Sequence, residues 1–523
     1  MKKIFYLLML FLGATLVFAS CTEQTNKPTE NEKTEEVKTP GEEPYSPTDT
    51  ILSFSDDNEN KIITESTYDI SQYTKNAKND IKPYQLFGDG MCLQRDAINR
   101  IWGKATKTAF IAAEFNGKVY YGTVQSREWE IYLPKMNAGG PYELTIISEA
   151  GRFTIKNVYV GEVFLCSGQS NMEFRAQDAA VLKDLYSTAD CVNDKIRMLN
   201  LPSYPQEEAT IELVNQMKWS SANATTIKAF SAVSYIFGKQ MQEELGCPVG
   251  LISAAVGGTS IEFWLSEENV NKLTYKPYID QSSEYNKLVM TPSLGYNGML
   301  YPLSGLNVRG VVWYQGCSNA FGTEQYYDGA LKIFMEQCRE MFNNPKLSFT
   351  ACELARFGER PYNYSIVNEK INAVASEDPY MVVARNLDLG EWKDIHPKDK
   401  HEIGRRAAYE TLRVFFKKDK PAPITVANYT FNADGSVTIT LSDNAKLVNS
   451  SNGFEVYVND KYTYDCNVTI NGNTLTVTAS GEITKVRYGY TCQMNEEIME
   501  DVSKMVTVYD NNNFPLDLFR IEK

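Results

Sequence analysis

The sequence predicts an α/β protein, a parallel sheet bracketed by two β-rich regions. Three observations point there. Uninterrupted apolar runs at 163–166, 251–256, 311–314, 347–354 and 381–384 have the length of strands buried on both faces. Between them, Phe230, Val233, Phe237 and Met241 share one helical face, as do Leu331, Phe334, Met335 and Cys338. On either side of this stretch the pattern turns to two-residue alternation and turn signals.

At the N-terminus, Lys2 and Lys3 precede a mostly apolar run from Phe5 to Val17, and Phe18-Ala19-Ser20 lead into Cys21. This is the pattern of a secretory signal, too short to span a membrane. Small residues directly before a cysteine are similar to the bacterial lipobox, which implies cleavage and lipidation at Cys21. Residues 1–21 are therefore read as a lipoprotein signal peptide. The chain is expected to be exported and lipid-anchored in the bacterial cell envelope, with periplasm and cell surface both open. Residues 22–50 hold eight acidic residues and three lysines, with Val37 and Tyr45 as the sizeable apolar groups. That composition predicts a disordered acidic linker.

A chain of 523 residues exceeds one hydrophobic core. Residues 51–157 are expected to form an N-terminal β-sandwich. Its plainest signal is a hairpin: 110–115, the turn Asn116-Gly117, then 118–122. Residues 158–420 carry the alternating apolar runs and helices, closed by a helix over 403–416. Residues 421–523 return to strands, such as the alternating 436–441 and the segments around Asn471-Gly472-Asn473, and are expected to form a second β-domain.

The net charge of -14 argues against nucleic acid as a partner. Ten cysteines without a C-x-x-C, and two histidines in all, offer no zinc site, so no structural metal is expected. Aromatic content of 12% suits sugar faces and tyrosine-rich β-domains alike.

Polar motifs follow the apolar runs. The first run leads to Ser167-Gly168-Gln169-Ser170-Asn171, the second to Gly257-Gly258-Thr259, and the third to Gln315-Gly316-Cys317-Ser318-Asn319. The last precedes a loop with Asp394 and His396. In an open parallel sheet the carboxyl ends of the strands converge on one crevice. A serine hydroxyl needs a base to act as a nucleophile at neutral pH. The two imidazoles are His396 and His401, and His401 lies near the start of the closing helix, as a bystander. Ser170 would attack a carbonyl carbon, His396 would move the proton, and Asp394 would orient the imidazole. The backbone N–H groups of Ser170 and Gly258 and the Gln315 amide are candidate oxyanion donors, each worth about 10²–10³ in rate. The bland readings are a strand-to-helix turn with Ser or Asn as N-cap at the serine motif, and a helix start at His396-Pro397.

Residues 161–174, Gly-Glu-Val-Phe-Leu-Cys-Ser-Gly-Gln-Ser-Asn-Met-Glu-Phe, resemble the nucleophile block of sialate O-acetylesterases, within the wider SGNH hydrolases. Residues 87–95 and Gly139-Gly140-Pro141-Tyr142 are similar to the family's N-terminal β-domain. Val256-Gly257-Gly258-Thr259, Tyr296-Asn297-Gly298-Met299, Trp313-Tyr314-Gln315-Gly316 and Asp394-Ile395-His396-Pro397 resemble further blocks, and Val486-Arg487-Tyr488 the end of its C-terminal region. The resemblance covers roughly residues 84–520. It implies a flavodoxin-like three-layer hydrolase domain at 158–420. It further implies Ser170 as nucleophile, His396 as base, acetylated sialic acid or other glycans as substrate, and no cofactor. Gln169, Asn171 and Asn319 are then candidates for substrate binding. Cys317 departs from the family, which usually has Glu there. The acidic partner of His396 stays open among Asp394, Asp388, Glu391 and a Ser–His dyad. Acetyl removal from plant polysaccharides such as xylan or pectin, and glycan binding without catalysis, are the alternative functions.

Overall fold

In the computed structural model the described residues run from 52 to 523, apart from 55, 66–71, 78, 107–109, 214–216, 359–360, 449–450 and 492–498. The expected signal peptide and linker lie outside the described residues.

One strand organises the rest. Gly151–Gly168 is 18 residues long. Its first half pairs antiparallel with Gly139–Ser148, and its second half lies parallel between Val249–Ala255 and Gly310–Tyr314. The parallel part reads Asn193–Asn200, Val249–Ala255, Gly151–Gly168, Gly310–Tyr314, Ser348–Cys352, Met381–Ala384, with Ser220–Ala222 antiparallel at one edge. Each of the five expected runs is a strand here. Asn193–Asn200 is additional, and its Asp194, Lys195 and Arg197 break the apolar pattern.

The hairpin forms as its turn chemistry requires. Asn116 and Gly117 both have positive φ, 49° and 71°, and join Ile111–Phe115 to Lys118–Tyr121. The boundary expected at 157/158 falls inside the long strand, and a single hydrophobic core runs from Leu52 to Phe416. The N-terminal strands and the parallel sheet are therefore not packed as separate cores. The C-terminal strands form two four-stranded antiparallel sheets, Val426–Phe431 with its partners and Phe454–Val458 with its partners, around a second core.

Helices Ala232–Leu245 and Lys400–Phe415 pack together against the sheet, as do Tyr327–Met341 and Pro361–Glu377 with each other. Pro361–Glu377 was not apparent from periodicity. Val367, Ile371 and Val374 enter the first core, whereas Ile366 enters the second. A helix covered on two sides shows no single apolar stripe. Around it, the Arg356 guanidinium donates to the Gly489 and Tyr490 carbonyls, and Asn372 Nδ2 donates to Glu353 (2.9 Å) and Asp517 (3.1 Å). Burial, with Asp517 alongside, pushes the Glu353 carboxyl well above the usual range.

A buried ion cluster fixes the long strand midway. Glu162, fully buried, accepts from Arg309 Nε (2.7 Å), Arg95 Nε (2.6 Å) and Gln94 Nε2 (2.8 Å). Burial alone would raise the Glu162 pKa, but the two guanidinium groups outweigh it and hold the carboxyl below its ordinary value. Removing one partner of a buried pair costs far more than the pair contributes. Arg309→Met is expected to lower stability by about 3–5 kcal/mol. The double variant with Glu162→Gln should recover part of that loss, as read from denaturant midpoints.

Candidate active site

The strand Gly151–Gly168 stops at a glycine because nothing larger fits. Gly168 has φ +143°, and a Cβ there would meet the Tyr314 carbonyl oxygen at 2.2 Å. This close approach sets Ser170 at the first position of a short helix, Ser170–Glu173. The earlier serine of the motif is turned away, since Ser167 Oγ donates to the Ala254 carbonyl at 2.7 Å.

Ser170 Oγ lies 2.9 Å from His396 Nε2. The expected pair therefore meets. Asp394 Oδ1 accepts the His396 backbone N–H at 2.9 Å and lies 3.4 Å from Nδ1. Its side chain is about half exposed, at 47%. The other acidic candidates are engaged elsewhere. Asp388 pairs with Arg406 at 2.6 and 2.9 Å, and Glu391 accepts the Lys398 N–H at 3.4 Å. His401 faces Asp184 at 3.3 Å in a different surface pocket.

Burial lowers the His396 pKa below its ordinary 6.5, and the nearby Lys400 charge lowers it further, against the opposing pull of Asp394. Its ring sits 6.0 Å from the Phe174 ring.

The oxyanion candidates divide. The N–H groups of Ser170 and Gly258 have no hydrogen-bond acceptor among the described residues. Gly257 lies against Ser170, and Gly258 turns at φ +76°. Gln315 is corrected. It is fully buried, and Nε2 donates to the Thr259 carbonyl (3.0 Å) and to Asn319 Oδ1 (2.8 Å), while Oε1 accepts from Tyr327 (2.8 Å). With its amide hydrogens directed inward, Gln315 fixes the loop and does not face the serine.

Asn171 and Asn319 are corrected in the same way, because both are buried with their carboxamides bonded to the protein, and Gln169 is buried and bonded through its carbonyl oxygen. Gln169 Oε1 accepts the Gly316 N–H at 3.0 Å. Asn319 donates to Glu262 at 3.2 Å and to Thr323 at 3.1 Å, and accepts from Ile261 N at 3.0 Å. Asn171 Nδ2 donates to the Ile395 carbonyl at 3.2 Å and to Cys317 Sγ at 3.7 Å, and its Oδ1 accepts from Lys400 Nζ at 2.7 Å. Asn171 thereby ties the helix Ser170–Glu173 to the loop that carries His396.

Sequence reasoning missed Glu173, Tyr285 and Lys400. Glu173 accepts the Gly257 N–H at 2.7 Å, and burial raises its carboxyl pKa. Tyr285 OH donates to the Gly257 carbonyl at 2.9 Å. Lys400 carried a signal, a cation in the first turn of a helix where acidic residues are the rule.

The pair opens into a cleft of about 780 Å³ lined by Ser170, Glu173, Phe174, Arg175, Asn200 and His396, among others. Arg175 is paired with Asp178 at 3.0 Å. Cys92, Cys166, Cys191, Cys247, Cys317, Cys338, Cys352 and Cys466 are free thiols. Among the described residues no group of His, Cys, Asp or Glu is placed to hold a metal.

Residues 160–413 match the family model "Carbohydrate esterase, sialic acid-specific acetylesterase". The chain is similar to sialate O-acetylesterase of Homo sapiens, 30% identical over 277 residues, which cover 48% of this chain and 52% of the relative. It is similar to that of Mus musculus, 29% identical over 298 residues, covering 48% and 55%. The chain thus spans about half the length of the curated relatives it matches. Among solved structures, a carbohydrate acetylesterase from Xanthomonas citri superposes with a TM-score of 0.74 at 25% identity, over 85% of this chain and 100% of that one. The matched segment, 160–413, carries both Ser170 and His396.

Proposed function

We propose that the protein is a serine esterase that removes O-acetyl groups from sugars through an acyl-serine intermediate. The observation that carries this reading is the 2.9 Å approach of Ser170 Oγ and His396 Nε2 across 226 residues of sequence. A parallel sheet with paired helices agrees with the expected flavodoxin-like three-layer domain.

In the proposed reaction Ser170 Oγ adds to the acetyl carbonyl carbon as His396 Nε2 takes its proton. The oxyanion is met by the N–H groups of Ser170 and Gly258. Collapse breaks the ester C–O bond, and His396 returns the proton to the sugar oxygen. Water then adds to the acetyl-serine with His396 again as base, releasing acetate and restoring Ser170.

The match of residues 160–413 to the sialic acid-specific acetylesterase model supports acetylated sialic acid as substrate. The charge of the cleft favours a second reading. A sialic acid brings a carboxylate, and the cleft answers with one guanidinium, Arg175, already paired, beside the carboxylates of Glu173 and Asp178. Neutral acetylated sugars, such as those of plant polysaccharides, meet no such repulsion. Acetate release from a panel of acetylated sialic acids and neutral glycans separates the two. Binding of these glycans without acetate release would leave a non-catalytic glycan-binding protein. The signal-like sequence ending at Cys21 supports a lipid anchor in the cell envelope. Cys21→Ser should move the protein out of the membrane fraction.

Ser170→Ala and His396→Ala are each expected to lower kcat by about 10³-fold or more. Asp394→Ala should lower it by only roughly 10–100-fold, because a half-exposed carboxylate at 3.4 Å stabilises the imidazolium weakly. A base must be neutral to act, and the His396 pKa is depressed. The acid limb of kcat/KM should therefore have its midpoint below pH 6.5, with activity rising as pH increases through it.

A further inference from the structure

Lys400 occupies a place that disfavours a cation. Its side chain is fully buried and begins the helix Lys400–Phe415, at the positive end of the helix dipole. Nζ donates to Asn171 Oδ1 at 2.7 Å and sits 4.8 Å from the Phe174 ring centroid and 5.8 Å from that of Tyr314. Among the described residues no carboxylate lies within ion-pair reach of it. The titratable groups facing it are Asp394, Asp399 and His396 from its own loop, Cys317 from the loop after Gly310–Tyr314, and Cys352 at the end of Ser348–Cys352. The proposed reaction uses none of its atoms.

We propose that Lys400 is a positioning residue for the Ser170–His396 pair, clamping Asn171 to the histidine loop and setting a positive charge beside the imidazole. The proposal rests on the reading of that pair as the reacting groups. Geometry supplies the clamp. Lys400 holds Asn171 Oδ1, and Asn171 Nδ2 holds the Ile395 carbonyl, one residue before His396. With both ends of the carboxamide occupied, its rotation is fixed, and the nucleophile helix and base loop are held in one register. A small displacement between reacting groups is costly in rate.

The charge works in the same direction. Burial pushes the Lys400 ammonium down to about 7, so it is charged below that pH and neutral above it. When charged, it disfavours the imidazolium form of His396, which stays a competent base at lower pH than it otherwise would. When neutral, Nζ still has N–H bonds to give Asn171.

The test uses the full chain and the variants Lys400→Met and Lys400→Gln. Lys400→Met should lower kcat by roughly 10–100-fold with KM changed less than about twofold. In both variants the acid limb of kcat/KM should move up by roughly 0.5–1 pH unit, since a neighbouring positive charge is gone. Carbon-13 labelling of histidine gives a direct reading, because the chain has two histidines and His396→Ala assigns them. His396 should titrate at a higher pH in either variant than in the wild type. An unchanged or lower His396 titration midpoint overturns the proposal, even if kcat falls. If Lys400→Met does not fold, Lys400→Gln gives the same reading. The titration reports the coupling whether or not the pair performs the reaction, whereas full activity in Ser170→Ala would overturn the esterase mechanism itself.

Discussion

The site depends on backbone contact at the end of the long strand. Gly168 lies so close to the Tyr314 carbonyl that no side chain can be placed between them. Parallel pairing on both sides, Gly168 with Ala255 and with Tyr314, ends three strands at one level. The chain leaves that level through the 169–173, 256–259 and 315–319 segments, which must share one small space. Their polar side chains fill it by bonding one another: Gln169 to Gly316, Gln315 to Thr259, Ser318 to Gly258. What remains without an acceptor among the described residues is the backbone N–H of Ser170 and that of Gly258, next to the Ser170 hydroxyl. The polar residues that make the motifs distinctive mostly hold backbone in place.

His396 arrives by a different route. Its loop is anchored by a short parallel pairing of Arg356–Phe357 with Gly390–Glu391, and by Trp392, which packs against Val502 and Met505 of the C-terminal region. The Asn171 carboxamide completes the anchoring from the serine side. Low local dielectric strengthens each of these polar contacts and raises the cost of any left unmade. A buried lysine is tolerable there because it rests on two aromatic faces and a carbonyl oxygen.

The parallel strands and the pairing of Ser170 with His396 were legible because each rests on local pattern: apolar runs of strand length, and a near absence of histidine. The meeting of Ser170 and His396 follows from strands that end on one side of a sheet. Roles for Asn171, Gln315 and Asn319 were read as outward-facing when they are inward. A carboxamide at a strand end has the same sequence signature whether it meets a ligand or a neighbouring loop, and only the packing of the other loops decides. Asn193–Asn200 was obscured by its alternating charges, and Pro361–Glu377 by being covered on two sides. At 157/158 composition changes while the backbone continues unbroken through Gly151–Gly168.

The helix Pro361–Glu377 contributes to both hydrophobic cores, and Arg356, Asn372, Glu353 and Asp517 join the same two regions by hydrogen bonds. Such a helix cannot be inherited by one region without the other. Cut anywhere between them, the chain would expose Ile366 on one side and the Gly489 and Tyr490 carbonyls' lost guanidinium partner on the other. The C-terminal sheets are thus less an appended module than a second wall for the region that carries the histidine loop.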